Sequence, residues 1–250
     1  QQENKMSVLN HSPSITRAGL VLCFDAQAIR CYSGSGTTVK NLVSTSDFGT
    51  LSNATVASDP GVNGKKFFDF DGSDDKIEVP NSDAAVKSAL ESTEFTVEAV
   101  FKAESSQDNP FPRIYQKGNT LMHISQTSPF AIYQNIYDNS SPSALFTQAG
   151  AGSFVVAGQW VHVVATWDGN ASVDRIKIYK NAQVFTSATG SASGTANIST
   201  ANLYLGASSG TTRDLNGQIA IFRIYNRVLT EQEIRKNYES QIKPRFGLTD

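Results

Sequence analysis

LNGQIAIFRIYNRVLTEQEIRKN, residues 215–237, is the stretch on which the fold class turns. Gly217 marks a bend, and Ile219, Ile221 and Arg223 then alternate with Ala220, Phe222 and Ile224. A period of two with apolar residues on both faces predicts a strand covered on both sides. Asn226-Arg227 breaks it. Thr230-Glu231-Gln232-Glu233 has the spacing of a capping box, a hydroxyl for the orphan amides and a glutamate that reaches back. Ile234 and Tyr238, four apart, give the following helix one apolar stripe. The unit predicted is a late central strand followed by one short C-terminal helix.

The chain upstream reads as short strands punctuated by turns. Gln1–Pro13 is polar and aperiodic, an arm that orders only against a neighbour. Gly19–Asp25 is the first strand, and Ser33-Gly34-Ser35-Gly36 a flexible turn. Two strands flank Asp71-Gly72-Ser73-Asp74-Asp75, where Asp-Gly is a strong turn signal. Ala84–Leu90 has the length of a helical turn. Glu94–Lys102 alternates with Phe95, Val97, Ala99 and Phe101 on one buried face. Trp160–Trp167 is apolar on both faces, and Pro244 is expected to stop the helix. Regular short strands without a repeat predict an all-β, two-sheet antiparallel sandwich. Its parts are an extended arm over 1–17, one domain over 18–240 and a tail over 241–250.

These pieces resemble laminin-G-like, concanavalin-A-like jelly-roll domains. The likeness is carried by G-x-I-x-x-F-R-I-Y-N-R-x-L before T-x-x-E-I, and by Phe70–Asp75, Phe95–Ala99, Trp160–Val163 and Leu203–Gly206 in the same order. It spans roughly Ala18–Ser240. Gly19–Tyr32 and Leu215–Leu248 are further similar to domains of tailed-phage structural proteins. The resemblance implies a jelly roll without implying one function.

Composition narrows the classes. A formal net charge of −2 gives no drive toward nucleic acid. No apolar run is long enough to span a bilayer, so membrane insertion is not expected. No basic start precedes an apolar core, so no signal peptide is visible; a virion location is expected, with an extracellular, secreted one as the alternative. Cys23 and Cys31 lack the spacing of a zinc site; they read as a buried free thiol and its neighbour, or as a bonded pair.

Catalysis finds little support in the residues. The paired carboxylates on one strand face, Glu94 and Glu98, stand roughly 13 Å apart at about 3.3 Å per residue. A glycosidase needs about 5–9.5 Å. The Glu-x-Asp-x-x-Glu pattern of the laminarinase-like glycosidases is absent. Gly206-Ala207-Ser208-Ser209-Gly210 matches a nucleophile elbow, yet no helix pattern and no later histidine follow it. His162 reads as a satisfied sheet residue. The expectation is a protein that is not an enzyme, with no catalytic residue and no committed metal or cofactor. Calcium stays open at Asp69, Asp71, Asp74 and Asp75, where the competing reading is a plain turn.

Recognition is better supported. Phe130, Ile132 and Ile136 share one face of a strand, while Tyr133, Asn135 and Tyr137 share the other, with His123 and Ser125 alongside. Rings stack on apolar sugar faces and amides bond hydroxyls, so Tyr133, Asn135, Tyr137 and His123 form a candidate glycan platform. A solvated face or a subunit contact has the same composition. Two functions follow: a virion structural or adhesion protein (capsid decoration, tail or fibre) contacting other virion proteins or copies of itself as a homo-oligomer, or a carbohydrate-binding lectin module. Both admit cell-surface polysaccharide as a partner.

Overall fold

The computed structural model describes residues 14–249 except 45, 63, 139–144, 149–153 and 211, with backbone alone for 145–148. Most of the expected arm, residues 1–13, lies outside the described residues.

Among the described residues sixteen strands follow in chain order: β1 (Leu20–Asp25), β2 (Thr38–Lys40), β3 (Phe48–Ser52), β4 (Thr55–Asp59), β5 (Lys65–Asp71), β6 (Lys76–Val79), β7 (Glu94–Ala103) and β8 (Arg113–Lys117). Then come β9 (Thr120–Ile124), β10 (Ile132–Ile136), β11 (Leu145–Gln148), β12 (Trp160–Asp168), β13 (Ile176–Lys180), β14 (Gln183–Ala188), β15 (Leu203–Leu205) and β16 (Asn216–Tyr225). Sheet A runs β14-β13-β12-β7-β16-β5-β4, with β1 also on β16; sheet B runs β11-β10-β9-β8-β15-β6-β3-β2. Every ladder is antiparallel. The all-β, two-sheet jelly-roll sandwich expected from the sequence is the fold observed.

The strand within 215–237 is central, as its two apolar faces require, but its alternation is not simple. β16 pairs along one side with β7. On its other side the first half pairs with β5 and the second half with β1. Between the halves a bulge lies at Ile219–Ile221, and the Ala220 carbonyl accepts from Ala26 N at 3.1 Å. The bulge shifts side-chain parity, so Ile219 joins Phe222 and Ile224 in the core between the sheets. Ala220, Ile221 and Tyr225 belong to a second core on the outer face of sheet A. The expected grouping of Ile219 with Ile221 is corrected by that one residue.

The second core exists because the C-terminal segment roofs sheet A. Ile234, Tyr238, Ile242 and Phe246 pack onto Val100, Val164, Ala220, Ile221 and Tyr225. β7 is therefore buried on both faces, with Thr96, Glu98 and Val100 beneath the roof, and not on one face as its alternation predicts.

The roof begins as α2 (Glu231–Asn237), whose capping box forms as the sequence indicates. Thr230 Oγ1 accepts from Glu233 N at 3.3 Å, and Glu233 returns an acceptor to Thr230 N at 3.0 Å. The helix does not stop near Pro244. It passes through a π turn (Tyr238–Ile242) into a four-residue helix (Lys243–Phe246) and ends at Gly247, φ 63°. Pro244 lies in a first turn, where its missing N–H goes unneeded. Phe246 packs on Trp160 at 5.1 Å, so half of the expected tail is part of the fold. A further helix, α1 (Ala84–Leu90), capped by Asp83, fills the helical turn read from the sequence. The described end of the arm also docks: Thr16 N donates to Asn237 Oδ1 at 2.7 Å.

Candidate functional site

Sheet A is roofed, whereas the outer face of sheet B carries the expected platform. Burial alternates along β10, with Ile132, Gln134 and Ile136 inside and Tyr133 and Asn135 half-buried outside. Gln134 is held in the core by Tyr115, whose hydroxyl donates to Gln134 Oε1 at 3.1 Å. Cross-strand register then assembles the outer face. Arg113, His123 and Tyr133 stand in one row on β8, β9 and β10, while Glu78, Tyr204, Gln116, Leu121 and Asn135 form the next. Tyr137, half-buried, continues the Tyr-Asn-Tyr stripe beyond the strand.

The platform has a structured base. Tyr133 stacks on the His123 ring at 4.7 Å and 16°. Phe111 meets that imidazole edge-on at 5.4 Å, and Arg213 lies over Phe111 at 5.2 Å. His123 is only 4% exposed. It lies alongside Tyr133 on the neighbouring strand, as expected, but buried, with its ring stacked against the tyrosine. Burial first, and then the Arg113 charge, push its pKa down to about 4, so the ring is neutral at pH 7. Arg113 Nε donates to Gln116 Oε1 at 2.9 Å, which fixes a guanidinium beside the tyrosines. Asn135 keeps a buried side-chain oxygen without a partner among the described residues. Toward the opposite edge, Asn202 Nδ2 donates to Glu78 Oε1 at 2.5 Å and Lys76 lies over the Tyr204 ring at 5.8 Å. Ring faces, amides and a fixed cation suit a polyhydroxylated ligand. Sequence reasoning missed Arg113, Gln116 and Tyr204, because only sheet register places them beside β10.

A concavity lies on the other sheet. A groove of about 590 Å³ between β12, β14 and the C-terminal segment has Trp160 and Phe246 in its floor and Phe185 on its wall. Its lining is mixed: Val156, Val184 and Phe185 are exposed beside Gln159, Lys180, Asn181 and Gln183.

The acidic turn divides. Asp71, Asp74 and Asp75 bring carboxylate oxygens within 4.8 Å of one another. Asp69 is not with them; its Oδ1 accepts from Gln218 Nε2 at 2.8 Å. Asp71 Oδ1 accepts from Ser73 N at 2.9 Å and Asp75 Oδ2 from Asp71 N at 2.7 Å, as turn carboxylates do. Gly72 has φ 89°, the left-handed conformation the Asp-Gly signal predicts.

The residues weighed for catalysis are occupied with structure. Glu98 is sealed under the roof, accepting from His162 Nε2 at 2.9 Å, Arg223 Nη1 at 3.0 Å and Asn237 Nδ2 at 3.1 Å. Burial alone would raise its pKa, yet Arg223 and His162 hold it down at about 2. His162 is thus a buried sheet residue, stacked on Tyr238 at 5.5 Å. In the elbow-like loop, Ser208 Oγ donates to Gly210 O at 2.7 Å and no helix follows. A Cβ on Gly206 would lie 2.2 Å from the Phe70 ring, so glycine there serves close packing. Cys23 and Cys31 are both free and buried, which settles the open pairing against a disulfide. Burial pushes the Cys31 thiol up to about 12. Among the described residues no helix is long and apolar enough to cross a membrane.

Comparison with known proteins agrees with this architecture. Residues 71–235 match the family model described as the concanavalin A-like lectin/glucanases superfamily. Domain 4 of AbnA, an extracellular arabinanase from Geobacillus stearothermophilus solved with arabinotriose, superposes with a TM-score of 0.61 at 17% identity, covering 89% of this chain and 100% of that one. The binding domain of Paraclostridial Mosquitocidal Protein 1 gives 0.64 at 14%, covering 89% of this chain and 52% of that one. A Trypanosoma rangeli sialidase solved with sialic acid gives 0.62 at 18%; 92% of this chain aligns, but over only 34% of the sialidase. At these identities the structures speak for the fold. No curated protein matches the chain. On the family match and the two-sheet architecture together, this chain belongs to the concanavalin A-like lectin/glucanase superfamily.

Proposed function

We propose that the chain is a non-catalytic carbohydrate-binding module that holds a glycan on the outer face of sheet B. The observation that carries this is the Tyr133 ring, stacked on an imidazole that Phe111 also contacts edge-on, with Arg113 held nearby by Gln116. A tyrosine immobilised in this way presents its ring with little entropy left to lose on binding. The arabinotriose complex of a domain with the same fold supports a sugar as the ligand class.

The test is a glycan screen followed by titration calorimetry on the best hit. Tyr133→Ala should weaken binding by roughly tenfold, about 1.4 kcal/mol. Tyr137→Ala should weaken it less. Binding unchanged in both variants but lost in Phe185→Ala would move the site to the groove beside Trp160 and refute the platform.

A second reading is an adhesive virion component, favoured by the similarity of Gly19–Tyr32 and Leu215–Leu248 to phage structural domains. In it the N-terminal arm contacts neighbouring virion proteins or copies of the chain, and the same sheet face grips host polysaccharide. Light scattering tests it: a stable homo-oligomer that is lost on deleting 1–13 supports the assembly role, and a monomer in both forms refutes it.

A further inference from the structure

We propose that the carbohydrate held on sheet B is a carboxylate-bearing one, whose acid group is taken by the paired guanidiniums of Arg113 and Arg213. The inference rests on the platform reading and names the ligand class of that site. It comes from the charges around the tyrosines and not from the rings themselves.

The two arginines are brought together and pinned. Arg113 N donates to Arg213 O at 3.0 Å, which joins the start of β8 to the loop before β16. Their guanidiniums then grip successive carbonyls: Arg213 Nη1 donates to Pro110 O at 2.7 Å, and Arg113 Nη1 to Phe111 O at 2.7 Å. Gln116 takes Arg113 Nε, and Arg213 lies over the Phe111 ring. Both charges act on His123, the ring on which Tyr133 stacks, and Arg113 also feels the Tyr137 hydroxyl. The pair and the platform tyrosines therefore share one patch.

What the pair lacks is an acid. Neither arginine has an ion-pair partner among the described residues. No carboxylate is among the groups that act on Arg113; burial and then the Arg213 charge lower its pKa to about 10, and it stays ionised at pH 7. Asp214, next in sequence to Arg213, is engaged elsewhere: the charges that act most on it are Asp74, Lys76 and Asp71. Glu78 shares the face, but on β6, two strands beyond β8, where Asn202 donates to it. Like charges held together without a counter-charge raise the energy of the empty site, and a bound anion removes that cost. A guanidinium fork matches a carboxylate in geometry as well as in charge. Nη2 of each arginine makes no hydrogen bond among the described residues, and neither atom is sealed from water, so both are open to a ligand. Arg113 and Tyr133 stand two strands apart in one row, roughly 10 Å at about 4.8 Å per strand. A short oligosaccharide covers that span with one ring on the tyrosine and an acid at the arginines.

The experiment is calorimetry of the full chain with oligogalacturonate, oligoalginate, a hyaluronan oligomer and sialyllactose, each against its carboxyl-reduced form. The best acidic probe should bind roughly tenfold more tightly than its neutral counterpart. That difference should shrink between about 50 mM and about 500 mM sodium chloride. Arg213→Met, on a loop, should remove most of it, and Arg213→Lys, which keeps the charge without the fork, should retain part. Equal binding of acidic and neutral forms, lost together in Tyr133→Ala, would overturn this inference and leave the platform standing. Binding of neither form would overturn both. An acid preference unchanged when Arg113→Met and Arg213→Met are combined would put the carboxylate elsewhere and overturn the assignment to this pair.

Discussion

Replacing Glu98 with glutamine isolates what holds the roof to sheet A. The carboxylate is wholly buried and accepts from His162 on β12, Arg223 on β16 and Asn237 on α2, with the Tyr225 hydroxyl at 3.4 Å. Arg223 is as deeply buried, and its other neighbours, the Gln241 side chain and the Cys23 thiol, are neutral. Glu98→Gln keeps the shape but leaves the guanidinium unpaired in the interior. Breaking a buried pair in this way costs about 3–5 kcal/mol. At about 2–4 °C per kcal/mol for a chain of this size, Tm should fall by roughly 10 °C. Urea unfolding followed by tryptophan fluorescence should show an earlier midpoint with an unchanged slope. Replacing both charges, Glu98→Leu with Arg223→Met, should recover only part of the loss: no charge is left unpaired, but His162 Nε2 and Asn237 Nδ2 lose their acceptor. A loss below about 1 kcal/mol in Glu98→Gln would mean that water reaches the pair, and the account of the roof as a dry lid would fail.

Two further stability measurements bear on the platform and the roof. His123 has a folded pKa depressed to about 4 from 6.5, so the unfolded chain takes the proton first; its contribution is complete above about 6.5 and is lost as pH falls through 4. At about 1.4 kcal/mol per unit that amounts to about 3 kcal/mol between pH 7 and pH 4, seen as a steeper fall in urea midpoint for the parent chain than for His123→Gln; equal slopes refute it. Phe246→Ala should cost about 3–5 kcal/mol because the ring closes the second core against Trp160, whereas a loose tail would lose nothing measurable in the same urea titration.

What the sequence disclosed and what it hid divide along a physical line. Local signals held: the capping box at Thr230, the Asp-Gly turn, and the alternation that sends Ile132 and Ile136 inward and Tyr133 and Asn135 outward. Each depends on residues a few positions apart, where chain geometry alone sets the outcome. The features that failed depend on a partner. The bulge in β16 occurs where its neighbour changes from β5 to β1, and no period-two count contains that change. Pro244 looks like a stop because a sequence cannot show that a fresh helical turn begins there on a floor of Trp160.

The functional residues follow the same division, and this explains why the platform was half legible. Tyr133, Asn135 and Tyr137 are neighbours in sequence, so their shared face could be read directly. Their supports, Arg113 and His123, arrive on two other strands by register, and Phe111 and Arg213 arrive on loops. Asp214 is the extreme case: a single acid before a strand, ordinary in sequence, that the fold buries behind three other carboxylates. For a sandwich of this kind the informative residues are therefore polar groups that folding buries without a partner. Asn135 Oδ1 on the platform is such a place.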